Sequence, residues 1–160
     1  MSKGILDSSV AKQAFEILLP LIKETLKNRC KRQHLAIVVS ATIAINTDHK
    51  IGFSTFKKEC YLIESIGDHS EWEHDYTKIA LSKAEKSART GKSTAELAPH
   101  YLIRSDTIYW GSVVIDDIVV ACSGVEPYYD EMFSGWIAIT IKALCKEDFV
   151  RLPNGTNFIE

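Results

Sequence analysis

The chain has 160 residues, with 19 Lys plus Arg against 21 Asp plus Glu and a net charge of −2. That near-neutral balance excludes the basic field on which binding to a phosphate backbone depends, and the length suits one domain that needs no disulfide or metal staple to close its core. The most apolar stretch, Leu35 to Ile45, is broken by Ser40 and Thr42 and falls short of the ~20 residues a membrane-spanning helix requires. The four cysteines, Cys30, Cys60, Cys122 and Cys145, form no C-x-x-C pair and have no His at zinc-ligand spacing, so they read as reduced packing thiols. The opening Met1-Ser-Lys-Gly-Ile-Leu-Asp runs into polar residues rather than an apolar leader, and the expected location is the cytoplasm.

The first element is a helix. Asp7, Ser8 or Ser9 can cap it, and Val10, Ala14, Ile17, Leu18, Leu21, Ile22 and Leu26 recur at three- and four-residue steps as one buried stripe. Lys27, Arg29, Lys31 and Arg32 close it, where positive charge complements the carbonyl end of the dipole. Pro20 removes a backbone donor and predicts a kink or break near Leu18 and Leu19. From His34 to Ile45 both parities are apolar, which predicts a central strand covered on both faces. Asn46-Thr-Asp-His-Lys50 supplies turn residues, Ile51 to Phe56 then reads as the second strand of a hairpin, and a third strand is expected around Cys60 to Ile66.

Ser70-Glu-Trp-Glu73 has the form of a capping box and predicts a helix from there to about Thr90. Trp72, Tyr76, Ala80, Ala84 and Ala88 form a row along it whose small residues allow close approach to a sheet, and Gly91 fits the left-handed position at its end. Ser93-Thr-Ala-Glu96 starts a short helical turn that Pro99 ends. Two apolar runs, Ile108 to Ile115 and Ile118 to Val125, are joined only by Asp116-Asp117 and predict a two-residue hairpin, although Gly is the favoured second turn residue. Pro127 suits the first turn of a last helix, with Asp130 and Glu131 at its positive end and Met132, Trp136, Ile139 and Ala143 on its buried sides. The fold class is therefore α+β, an antiparallel sheet of about five strands with flanking helices in one domain over 1–150, followed by a tail over 151–160.

Between Asp75 and Trp136 several short motifs occur in a familiar order. Ala80, Lys83-Ala84 and Ala88 are followed by Gly91 and Thr94, then by Gly111, the Asp116-Asp117 turn, Ala121-Cys122-Ser123-Gly124, and Asp130-Glu131 at the start of the last helix. This segment resembles the GlcG/HbpS-like family, the haem-degrading or corrinoid-associated domain group with a profilin-like fold. The resemblance implies a profilin-like arrangement, a small-ligand binding module with haem or a related group among the ligands, and assembly into dimers or higher oligomers. The first half departs from the family pattern: Asn46-Thr-Asp-His-Lys50 replaces its Asp-x-Gly-Gly hairpin, and Trp110 displaces one glycine of its usual pair.

The candidate site residues are His74, Lys78, Trp110, Ser123, Gly124, Asp130 and Glu131, placed in a pocket between the central helix and the last hairpin. His74, read on the polar face of that helix, is the best metal or haem ligand among five histidines, the alternative being a solvated surface imidazole. No two histidines make a metal pair, so no dedicated metal site is expected. Asp130 and Glu131 could act as acid and base if desolvated, or simply complement the helix dipole. Ser123-Gly124, between a strand and a helix, can present backbone N–H groups to an anion. Tyr109, Trp110, Tyr128, Tyr129, Phe133 and Trp136 suit a ligand wall or a subunit contact. Two functions follow: a small-ligand binding module, or a non-catalytic scaffold that pairs with its own copies. A hydrolase or isomerase built on Asp130 and Glu131 is a third.

Overall fold

The computed structural model describes residues 4–46 and 53–159. The strand expected from His34 is β1, Leu35–Ala41, and all seven of its residues are buried. Cover on both faces is what its two apolar parities require. β1 lies inside a four-stranded sheet of order β2-β1-β4-β3, with β2 at Leu62–Ile66, β3 at Ser112–Ile115 and β4 at Ile118–Ser123. All three pairings are antiparallel, and Val38 faces Ile63 on one side and Ala121 on the other.

Four helices accompany the sheet among the described residues: α1 at Ser8–Arg29, α2 at Phe53–Glu59, α3 at Tyr76–Thr90 and α4 at Pro127–Val150. The architecture is α+β, with four strands among the described residues where the sequence suggested about five. The difference lies at Ile51 to Phe56. Residues 53–59 are helical, and the 46–50 turn and the start of that expected strand fall largely outside the described residues, with Asn46 the last residue before them. Phe56 is fully buried against α3 beside exposed Lys57 and Lys58, and so short a segment does not distinguish a strand from a helical turn by its pattern.

Alternation along the strands creates two layers. Leu35, Ile37, Val39, Ile118, Val120 and Cys122 face α1 and α4, whereas Ala36, Val38, Val119 and Ala121 face α3. Asp7 caps α1, its carboxylate accepting the Val10 N–H at 2.9 Å. The helix runs unbroken through Pro20, which is exposed, so the carbonyl its ring leaves unpaired can bond to water. Ile17 and Leu21 are exposed as well, because the buried stripe follows the 10–14–22–26 row with Ala11 and Phe15 beside it.

α3 begins at Tyr76, later than expected. Asp75 caps it by accepting the Lys78 N–H at 3.0 Å, while the anticipated capping box is replaced by a 3-10 turn, His69–Glu71, capped by Asp68. An aspartate on each side of Trp72 outcompetes Ser70 for the helix start. Tyr76, Ala80, Ala84 and Ala88 form the buried row, and Gly91 ends the helix at φ +71°. The hairpin turn holds Asp116 and Asp117 at φ +47° and +66°, a geometry for which glycine is favoured at the second position. Asp117 stands there for a visible reason: its carboxylate accepts the Thr42 hydroxyl at 2.6 Å and its carbonyl accepts the Thr42 N–H at 2.9 Å. In α4 the buried side is Phe133, Ile137, Ala138 and Ile141; Ile139 and Ala143, expected inside, are exposed, and Met132 and Trp136 are half-buried.

Candidate functional site

β3 pairs with β4 only as far as Ala121, and the next carbonyl, that of Cys122, accepts a hydrogen bond from a side chain instead of a strand. The donor is Lys83 Nζ, at 2.8 Å. Lys83 sits on α3 between the packed residues Ala80 and Ala84 and is 1% exposed. The same ammonium lies 3.1 Å from Asp130 Oδ2 of α4, and Asp130 Oδ1 accepts the Val125 N–H at 3.3 Å. A buried ion pair thus joins helices on opposite faces of the sheet at the point where β3 gives out. Burial pushes the Asp130 carboxyl up to about 6, against the pull of Lys83 and of the Val125 N–H.

The pair is enclosed by an ordered polar shell. Gly111, at φ +138°, passes directly over it: a Cβ there would lie 2.8 Å from Asp130 Cβ and 3.0 Å from Lys83 Nζ, so space and backbone both require glycine. The Thr94 hydroxyl accepts the N–H groups of Gly111 and Ser112 at 2.9 Å each, and Ser112 Oγ lies 2.7 Å from Ser87 Oγ. Ser134 Oγ bonds the Gly111 carbonyl at 2.7 Å. These contacts fix the entry of β3 against the ion pair.

Above the pair lies a cavity of about 210 Å³. Its polar lining is Arg32, His74, Tyr76, Lys83, Ser123 and Asp130; Ile79, Tyr109, Gly124, Val125 and Pro127 complete the wall. The Arg32 guanidinium donates to the Tyr76 hydroxyl at 3.3 Å and stands 5.9 Å from the ring centre of the same tyrosine. Among the described residues no carboxylate forms an ion pair with Arg32.

The residues singled out in the sequence divide. His74, Ser123, Gly124 and Asp130 line this cavity; Lys78, Trp110 and Glu131 do not. His74 precedes α3 instead of lying on its polar face, because the helix starts after Asp75; its ring meets Tyr76 edge-on at 6.1 Å and it is exposed at the rim. Lys78 is exposed and contributes its N–H to the cap of α3. Trp110 lines a separate groove of about 340 Å³ with Lys86, whose ammonium donates to the Thr107 carbonyl at 2.6 Å and whose pKa burial pushes down to about 8. Glu131 is half-buried beside the site, whereas the carboxylate of Asp130 is committed to Lys83 and Val125. Gly124, at φ +146°, lets the backbone approach the His34 carbonyl, where a Cβ would collide.

Sequence reasoning missed Lys83, Arg32 and Tyr76 as site residues. Lys83 sets a charge directly beside the small-residue row of α3, which is the one local signal for it; Arg32 is indistinguishable from the other cations at the end of α1. Burial pushes the thiols of Cys60 and Cys122 up to about 12, so both stay protonated at neutral pH and neither is an activated nucleophile. Among the described residues no group of three His, Cys, Asp or Glu side chains could hold a metal ion. The donor set does not fit haem either: 210 Å³ lies below the ~300–1,000 Å³ that enclose drug-sized ligands, a tetrapyrrole is larger still, and His74 stands at the rim. Among the described residues no helix is long and apolar enough to cross a membrane. Comparison with family models, curated proteins and solved structures finds no match to this chain.

Proposed function

We propose that the protein is a small-ligand binding module of the GlcG/HbpS-like type, with a profilin-like fold and with its ligand in the cavity above Lys83 and Asp130. The observation that carries this reading is the buried ion pair at the floor of an open cavity. Desolvating two charges offsets most of their attraction, and a well-packed apolar pair at such a place is often as stable or more so. A charged pair in that position, with Gly111, Thr94 and Ser134 arranged around it, fits a surface shaped for a ligand better than one shaped for stability alone. The cavity's size argues for a ligand much smaller than haem.

A fragment titration followed by amide chemical shifts tests the reading. Small polar fragments are expected to shift the Ser123, Gly124 and Asp130 amides, and haemin is expected to give no Soret change beyond an unrelated control protein. A diverse fragment set that leaves those three amides unmoved overturns the reading.

A second observation favours the scaffold alternative, in which copies of the chain pair. Leu6, Ile45, Ile118, Cys145 and Phe149 line an open and mainly apolar depression of about 430 Å³, and Ile45 and Phe149 are exposed. Light scattering behind a sizing column decides it: a monomer at high concentration removes homo-oligomerisation.

A further inference from the structure

We infer that the ligand of this cavity is a small organic monocarboxylate whose carboxylate is held by Arg32. The inference rests on the reading of the cavity as a ligand site and adds the chemistry of the ligand. Charge is the first argument. Two cations and one anion line the cavity, and Lys83 and Asp130 neutralise each other at 3.1 Å. Arg32, whose charge also reaches Asp130, leaves the three charged groups of the lining at a net +1, which suits a single negative charge. Of the other acids of these segments, Glu126 does not line the cavity, although one of its carboxylate oxygens is buried without a hydrogen-bond partner, and Glu73 and Asp75 beside His74 are exposed, Asp75 serving as the cap of α3.

Geometry is the second argument. Arg32 directs one donor to the Tyr76 hydroxyl, and a guanidinium has five N–H donors in a planar fork that matches a carboxylate. Tyr76 therefore orients the fork without neutralising it. Ser123 lines the cavity too, and its hydroxyl has no hydrogen-bond partner among the described residues. That hydroxyl is not a fully buried atom, so it is open to the cavity and can bond a second polar atom on the ligand. Ile79, Val125 and Pro127 supply an apolar wall for the body of the ligand, and 210 Å³ limits that body to about one ring or a short chain.

The experiment is an amide chemical-shift titration of the full chain with benzoate, benzamide and inorganic phosphate in parallel. Benzoate is expected to shift the Ser123 and Gly124 amides saturably, with benzamide and phosphate much weaker. Arg32→Gln is expected to weaken benzoate roughly tenfold to a hundredfold, the range for charge-assisted hydrogen bonds, and Arg32→Lys less so because the charge remains without the fork. Arg32 is only half-buried and bonds one side chain, so both variants are expected to fold, which the dispersion of the same spectra records. Benzamide binding as tightly as benzoate, phosphate binding more tightly, or benzoate binding undiminished in Arg32→Gln each overturns the carboxylate inference while leaving the cavity a ligand site. Silence with benzoate alone also overturns the inference, and silence across the wider fragment set removes the binding reading with it.

Discussion

The two faces of the sheet are built on different terms. Toward α1 and α4 the buried faces of β1 and β4 pack mainly on apolar side chains, from Leu35, Ile37 and Val39 to Phe133, Ile137 and Ile141, with Asp130 and Ser134 near the start of α4 as buried polar residues. Toward α3 the layer is thinner: Ala36, Val38, Val119 and Ala121 meet Ala80, Ala84 and Ala88, and the same helix carries buried Lys83, Lys86 and Ser87. One face supplies stability by volume. The other supplies less apolar area but sets polar groups at fixed positions, and the cavity opens at its end. Small residues on α3 are what make this possible, since they bring the helix close enough for Lys83 to reach a strand carbonyl.

Substitutions can break this contrast in order of size. Phe133→Ala on the apolar face is expected to cost about 3–5 kcal/mol in urea unfolding, the usual result of opening a cavity in a packed core. Lys83→Met is expected to cost a comparable ~3–5 kcal/mol, because it leaves Asp130 buried without its cation. The double variant Lys83→Met with Asp130→Leu sharpens the point. It is expected to unfold at about the wild-type urea concentration or above it, since an apolar pair is often neutral to stabilising, and yet to lose the cavity's ligand-induced shifts. Equal stabilities for the single and double variants would contradict the assignment of the pair.

A smaller effect is expected from pH. The Asp130 carboxyl sits at about 6 in the folded chain against an ordinary 3.8. Between those values the folded state binds more protons than the unfolded one, so this group's contribution is present in full below 3.8 and is lost as pH rises through 6, at no more than about 1.4 kcal/mol per pH unit. Other carboxylates act in the opposite sense: the Ser70 N–H holds Asp68 below its usual range, and Lys142 does the same for Asp116. The clean measurement is therefore the difference between wild type and Asp130→Asn across pH 4 to 7, which is expected to shrink with rising pH. The smallest effect belongs to the hairpin. Asp117→Gly relieves a left-handed backbone, worth about 1 kcal/mol, but loses the Thr42 side-chain hydrogen bond, also worth about 1 kcal/mol, so thermal unfolding is expected to move little.

The sequence reveals those elements whose signals are local. β1 is legible because burial on both faces leaves no polar parity, the β3–β4 turn because two Asp residues separate two apolar runs, and the end of α3 because Gly91 fits only a left-handed cap. α2 escapes because its buried Phe56 is followed by exposed Lys57 and Lys58, which set up no period. The start of α3 escapes because Asp68, Ser70 and Asp75 all offer capping oxygens, and packing of Trp72 against Tyr76 and His69 accompanies the choice. In the site, Asp130, Ser123 and Gly124 stand out from their place between a strand and a helix. Lys83 and Arg32 do not, since their roles depend on contacts across 47 and 44 positions of the chain that no local pattern records.

The sheet order has a consequence in time. β1 needs β2 and β4 on its two sides, and β4 follows only after α2, β2 and α3 have been made. A nascent or refolding chain must therefore hold a mainly apolar central strand with one edge open until the hairpin arrives. Loop closure over that span slows the final step and leaves β1 exposed to pairing between molecules. Refolding yield is accordingly expected to fall with protein concentration, and Asp117, which fastens the hairpin turn to Thr42 just beyond β1, becomes a residue that shortens the interval during which that edge stays open.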